Sequence, residues 1–387
     1  MRVIIVGAGI AGLTLALRLQ RLGWEPLVVE RAPRLRGEGY MIDFFGPGFD
    51  AAERMNLLPR LEAIHHPIGE LLFVDGDGRR KLSVEYAVLR RCLFANRHFN
   101  FLRGDLEASL YDAVGAETEI RFDTTVSRVA QGSAGVDVEL NDGTSERADV
   151  LVGADGVHSR VRALAFGPEE RFRLELGHLT AAYILERPPL GAPPEAFTTV
   201  TAPGRMVAVY PIPGDRAATF FVHRTRAASA ELARGAREVL PGVYGDLGSV
   251  APDLLAGLAD ADSVYFDELT QVRLDRWVHG RVALLGDAAW CVTLLAGQGA
   301  SLALGGADLL AHELHRDRAD PSRALSTWAR RMGQPVAARQ RAGVRMARWF
   351  VPTDPLRMWL RTQLLRTSTS PLLSRIMRRG LAVGRAD

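Results

Sequence analysis

The sequence predicts an α/β protein built on a parallel sheet, with an antiparallel-sheet domain inserted into it and a helical tail at the C-terminus. Three observations carry this. The chain opens on a strand, a glycine-rich turn, a helix and a second strand, a βαβ start. Short apolar runs of the buried parallel-strand type recur at 150–154 and 282–285, each leading into glycine-bearing residues. Residues 172–225 then change character, with prolines at 188–194 followed by strand-like runs (FTTVTA, MVAVYPI, AATFFVHRT) of antiparallel pattern.

The elements follow in order. Val3–Val6 is a buried strand, Gly7–Gly12 a turn, and an apolar-periodic helix runs to about Leu22, where Gly23 ends it. Pro26–Glu30 is the second strand. Residues 31–60 begin as a loop rich in Gly and Arg and run into a helix, FDAAERMNLL. Leu71–Val74, the turn DGDG and Lys81–Val84 read as a hairpin. Asn100–Val114 reads as a helix, and 119–122, 125–129 and 136–140 as short strands. Residues 228–262 are helical. After the strand at 282–285, Gly286 opens a long helix to about His315. From Trp328 the tail is helical, interrupted at Pro335, Pro352, Pro355 and Pro371.

At 387 residues, with 47% apolar and 24% charged side chains, the chain can bury a large core, which excludes a disordered, collagenous or disulfide-stapled protein. Its two cysteines, Cys92 and Cys291, form no metal-ligand spacing, so no metal is expected, and they fit a reducing, cytoplasmic compartment. The N-terminal apolar run is too short for a signal peptide. The uncharged stretch 288–307 is a poor membrane span because it carries several glycines, Gln298, Thr293 and Ser301, and no stable membrane insertion is expected. Net charge is +3, and Lys81 is the only lysine, so arginine abundance points to coding bias rather than nucleic acid. Residues 341–387 hold ten arginines against Asp354 and Asp387; a helix packed across the domains is the expected reading, a membrane-facing or acid-binding helix the alternative.

Gly7-Ala8-Gly9-Ile10-Ala11-Gly12, with Glu30 closing the second strand, is a Rossmann-like dinucleotide signature. Gly7 permits the turn, Gly9 lets backbone approach a pyrophosphate, and Gly12 permits close helix packing; the carboxylate can accept from ribose. This motif alone leaves FAD and NAD open. A second motif, VLVGADGVHSR (150–160), is followed by Arg162. A third, RVALLGDAA (281–289), is followed by Gly297-Gln298-Gly299.

With these three motifs in order, the chain resembles the class A flavoprotein monooxygenases, the p-hydroxybenzoate hydroxylase family, and in length is similar to the tetracycline-inactivating FAD monooxygenases. The resemblance covers nearly all of the chain to about residue 340. It implies a discontinuous Rossmann-like FAD-binding domain (1–70, 95–171 and 265–340), a substrate-binding domain (71–94 and 172–264) and a C-terminal helical segment (341–387). Gly7, Gly9, Gly12, Glu30 and the adjoining Arg31 would hold the ADP part of FAD. Arg103, in RxxLxxxL, would reach the phosphates. Asp155 and Gly156 would lie near the pyrophosphate, Asp287 after Gly286 would bind the ribityl chain, and Gly297, Gln298 and Gly299 would border the pyrimidine edge of the flavin. Backbone N–H groups there favour the anionic reduced flavin.

The sequence departs from the family pattern where Trp290 replaces His, Leu294 replaces Pro and Ser301 replaces Asn. On the substrate side, Met206, Tyr210, Phe220 and His223 are candidates to face a cleft over the flavin, with Asp43, Leu294 and Trp290, the last either a packing residue or a pocket wall. Alternation puts Met206 and Tyr210 on one strand face and Phe220 and His223 on opposite faces. His223 is the candidate base for a phenol. Cys291 is expected as a buried filler.

The resemblance implies a FAD-dependent monooxygenase. NADPH or NADH would supply electrons, dioxygen would form a flavin C4a-hydroperoxide, and an aromatic or polycyclic small molecule would take the oxygen. The expected assembly is a monomer or homodimer. A flavin oxidase or dehydrogenase without oxygen insertion, a non-catalytic flavin-binding protein and a plain NAD-dependent dehydrogenase are the alternatives.

Overall fold

The structure is a computed structural model and describes residues 1–35 and 40–367. Two sheets organise it. The first has six strands in the order Val278–His279, Val282–Leu284, Val150–Gly153, Arg2–Val6, Glu25–Val29, Glu119–Arg121. All neighbours run parallel except the Val278–His279 edge. The central strands are apolar on both faces because helices cover both; Val3, Ile4, Ile5 and Val150 are fully buried.

The helices Ile10–Arg21 and Gly299–Arg316 pack together on this sheet. Small residues allow the approach. A Cβ on Gly12 would stand 1.9 Å from the Gly7 carbonyl oxygen, and one on Gly7, which has φ 109°, would stand 2.5 Å from the Ala154 oxygen. The first turn is thus seated directly on the loop after Val150–Gly153.

The second sheet runs Tyr265–Val272, Arg173–Ala182, Arg216–Arg224, Arg205–Ile212, Ala196–Ala202, Glu70–Val74, Arg80–Glu85, with Ile184–Leu185 paired to Arg216–Arg224. It is antiparallel except where Ala196–Ala202 meets Glu70–Val74. Alternation divides its faces. Val207, Val209 and Phe221 pack against the helices Ala236–Tyr244 and Ala251–Gly257. Met206, Tyr210 and Val222 belong to separate apolar clusters on the other side. Strand Tyr265–Val272 completes this sheet by pairing with Arg173–Ala182, whereas the sequence reading had placed residue 265 onward in the first unit.

Four sequence expectations change. Residues 100–102, expected to start a helix, instead end the strand His98–Leu102, which pairs antiparallel with Met41–Phe45 in the expected loop; the helix begins at Arg103. FDAAERMNLL divides into the helices Pro47–Arg54 and Leu58–Ala63. The helix expected from Gly286 to His315 is broken into Asp287–Trp290 and Gly299–Arg316, because Thr293 (φ 95°) and Gly297 (φ 62°) are left-handed. Pro335 does not interrupt the tail. The helix Pro321–Phe350 runs through it and is followed by Pro355–Thr367. Residues 368–387 of the expected tail, with Pro371, lie outside the described residues. Among the described residues no helix is long and apolar enough to cross a membrane.

Candidate functional site

A cleft of about 1020 Å³, part of it open to solvent, lies between the two sheets. At one end it is walled by Gly9, Ile10 and Ala11, at the start of the first helix. Ala154, Gly156 and Val157 adjoin them, and Asp287, Leu294, Gly297 and Gly299 continue the wall. The second sheet contributes Tyr265 and Asp267–Thr270, and Tyr40, Ile42 and Arg103 close the third side. The three motifs far apart in sequence therefore converge on one space.

The cleft residues fit an extended dinucleotide. Two long helices start on it, at Gly9 and Gly299, and bring unpaired backbone N–H groups and the positive ends of their dipoles. Gly9 is bare toward Arg103: a Cβ there would be 3.2 Å from Glu107 Oε1 and 3.8 Å from Arg103 Nη2. Arg103 is held in place by Glu107 at 2.6 Å, leaving guanidinium edge for a phosphate. Glu30, which does not line the cleft itself, accepts from the backbone N–H of Ala8 (2.8 Å) and of Ala32 (2.9 Å). Each carboxylate oxygen keeps a lone pair for a hydroxyl donor.

Asp287 faces the cleft, and surrounding protein still removes enough solvent to push its carboxyl above the ordinary range, against the pull of Arg103. Cys291 lies beside it with its thiol pushed well up by burial, and its Sγ points to the Thr270 carbonyl. Thr293 also lines the cleft; its Oγ1 is buried without a partner, and its backbone occupies a region normally left to glycine.

Several expected residues act one step back. Asp155 does not line the cleft. It accepts from the backbone N–H of Arg160 (2.6 Å) and Val161 (3.1 Å), so it folds onto the start of helix Arg160–Ala165 and positions Gly156 and Val157. Burial raises its pKa. Gly12 and Gly286 are packing positions, the latter 3.0 Å from the Ala11 Cβ if given its own. The Gln298 side chain accepts from Arg339 Nε at 2.6 Å. Arg31 is exposed beside Glu30 and lines no part of the cleft.

On the substrate side, Met206 and Phe220 form an apolar cluster with Leu294 and Leu295. Phe220 also stands 6.4 Å from Tyr40, and Tyr40 stands 5.6 Å from Tyr265, centroid to centroid. Burial raises the Tyr40 phenol, so it is neutral. Tyr210 stacks on Phe197 and its hydroxyl accepts from the Met41 backbone N–H, so it supports strand Met41–Phe45 rather than lining the cleft.

Two expectations are corrected. His223 faces away from the cleft: Nε2 is 2.7 Å from Glu231 and Nδ1 is 3.3 Å from the Tyr244 hydroxyl, behind the sheet. It is not placed to take a proton from a substrate. Trp290 is a core residue, packed between Trp277 (4.9 Å) and Trp328 (5.6 Å).

Asp43 gains a network the sequence had not shown. Its Oδ1 accepts from Asn100 (2.7 Å), Tyr86 (3.0 Å) and His98 Nε2 (3.0 Å); against the desolvation by surrounding protein, these donors hold the half-exposed carboxyl ionised and below the ordinary range. Its Oδ2 faces the Gly297 turn. Ser301, in the place of the family's Asn, accepts from the Gly48 N–H at 2.9 Å and donates to the Phe45 carbonyl, tying this strand to the Gly299 helix. Gly39, at the head of that segment, lies outside the described residues.

The chain is similar to known flavin-binding proteins. The family described as "FAD binding domain" matches residues 96–332, and "FAD dependent oxidoreductase" matches 2–39. An uncharacterized protein of Mycobacterium tuberculosis is 36% identical over 323 residues, 81% of this chain and 84% of its own length. A FAD-dependent monooxygenase of Sarocladium schorii is 30% identical, covering 84% of this chain and 78% of that protein. Among solved structures, Klebsiella pneumoniae HpxO complexed with FAD and uric acid is 25% identical with a TM-score of 0.82, over 99% of this chain and 97% of that one. A tetracycline destructase is 27% identical with a TM-score of 0.78, over 95% and 96%.

Proposed function

The chain belongs to the family of FAD-dependent monooxygenases, and from that premise we propose that it uses NADH or NADPH and dioxygen to hydroxylate an aromatic or polycyclic small molecule. The observation that carries the reading is the convergence of the Gly9 helix start, Arg103, Asp287 and the Gly299 helix start on one cleft, faced by Tyr40, Tyr265 and Leu294. In this reading the parallel sheet carries the cofactor and the antiparallel sheet floors the substrate space. The uric acid bound by HpxO, and a tetracycline destructase among the structural neighbours, support a ring-system substrate.

FAD, when bound, supplies the electron acceptance and oxygen activation. The chain's own residues bind and orient. The N–H groups after Gly9, with Arg103, would hold the diphosphate, Glu30 the ribose, and Asp287 the ribityl hydroxyls. The N–H groups at Gln298 and Gly299 would favour negative charge on a ring edge held there, while that of Gly297 is donated to the Leu294 carbonyl. Leu294, backed by Phe220 and Met206, which do not line the cleft themselves, would keep that side dry and so strengthen each remaining polar contact.

The test is a screen of aromatic compounds for stimulated NAD(P)H oxidation by the yellow holoprotein, with labelled dioxygen and product masses. One labelled oxygen in the product is expected. Stimulated turnover that yields only peroxide or a dehydrogenated product overturns the oxygenase assignment.

A further inference from the structure

The helix Pro355–Thr367 is oriented with its apolar side outward. Leu356 is 65% exposed, Trp359 57%, and Leu360 and Leu364 each 45%. Their spacing of three, one and four residues places them on one stripe. Arg366 and Arg357 border its two edges. The inward side is held by Arg361, which is buried and donates to the Phe350 carbonyl and to Thr201 Oγ1, each at 3.0 Å. The helix is therefore fixed to the fold by polar contacts and presents its leucines and tryptophan to solvent. A folded chain rarely leaves so large an apolar stripe without an occupant.

Charge selects among the occupants. Residues 341–387 hold ten arginines and two acidic residues, Asp354 and Asp387. Asp354 is already paired to Arg357 at the start of the helix. The chain's last twenty residues carry Arg375, Arg378, Arg379 and Arg385 against Asp387, so folding them over this stripe would set like charge on like. A second copy would bring the same arginine-edged face. What suits the stripe is an apolar interior beneath an anionic surface, and tryptophan and arginine are the side chains that settle at such a boundary.

We propose that this helix docks the protein on anionic lipid surfaces, lying in the headgroup layer without crossing it. The docking is independent of the cofactor cleft, and it would place an oxygenase of ring systems where apolar substrates accumulate.

The test uses the full-length, FAD-loaded protein with two kinds of vesicle, phosphatidylcholine alone and phosphatidylcholine mixed with phosphatidylglycerol. Co-sedimentation with the mixed vesicles is expected, at least about tenfold stronger than with the neutral ones and weakened by salt. Trp359→Glu and Leu356→Glu should each reduce it about tenfold or more, and Trp359→Phe should retain it. Iodide should quench Trp359 in free protein, read as the difference from Trp359→Phe, and quench it less on vesicles. Three results overturn the proposal: no preference for anionic vesicles; Trp359 already shielded in the free monomer, which would give the stripe to the chain's own terminus; or a dimer in sedimentation that Trp359→Glu dissolves.

Discussion

The guanidinium of Arg162, fully buried, donates to the carbonyl oxygen of Ala288 at 3.1 Å and also to that of Val157, so one side chain ties the second motif to the third. Val157 belongs to a loop that walls the cleft, and Ala288 to the short helix Asp287–Trp290, whose first residue lines it. Arg162→Ala leaves both carbonyls without that donor and removes one partner of Glu169, which keeps Arg173 and His158. A loss of about 3 kcal/mol or more is expected in denaturant unfolding, with FAD retention falling in parallel. Arg162→Lys should recover little, because an ammonium cannot reach several acceptors as the planar fork does.

Asp287 trades stability for binding. Its pKa is raised in the folded protein, so its ionised form disfavours folding at neutral pH, and the apoprotein gains stability as pH falls toward the ordinary carboxylate value. Asp287→Asn should raise the Tm of the apoprotein and weaken FAD binding by about tenfold to a hundredfold, measured by flavin fluorescence. A variant with lower apoprotein Tm and unchanged FAD affinity would contradict the assigned role.

Asp43 shows the opposite sign. Its folded pKa lies below the ordinary value of 3.8, so the contribution of its network is present above that value and is lost as pH falls through the lower, folded one. In denaturant unfolding across pH, the wild type should exceed Asp43→Asn near neutrality, and the two curves should converge in acid. Parallel curves would show that the carboxylate is not held ionised by His98, Asn100 and Tyr86.

His223 should be dispensable for chemistry. His223→Asn removes bonds to Glu231 and Tyr244 behind the sheet and is expected to cost about 1–3 kcal/mol of stability. The pH profile of kcat should keep its shape. Loss of its acid limb would return His223 to the role of a base.

The parts of the fold legible in the sequence were those set by local pattern. Val3–Val6, the Gly7 turn and the strands 197–225 declare themselves through unbroken or alternating apolar residues. Alternation also separated Phe220 from His223, but it could not say which sheet face meets the cleft, since that depends on where the helices Ala236–Tyr244 and Ala251–Gly257 pack. The residues HFNFL carried a β-type aromatic signal, yet the helix from Arg103 masked it, and with it the partners of Asp43 were missed. The break at Thr293 was also hidden, because a β-branched residue gives no local sign that its backbone will turn left-handed.

The Ser301 hydroxyl joins two things the chain keeps far apart: the start of the Gly299 helix and the strand that bears Asp43. One hydroxyl thereby fixes the spacing between that helix start and the carboxylate that faces the Gly297 turn.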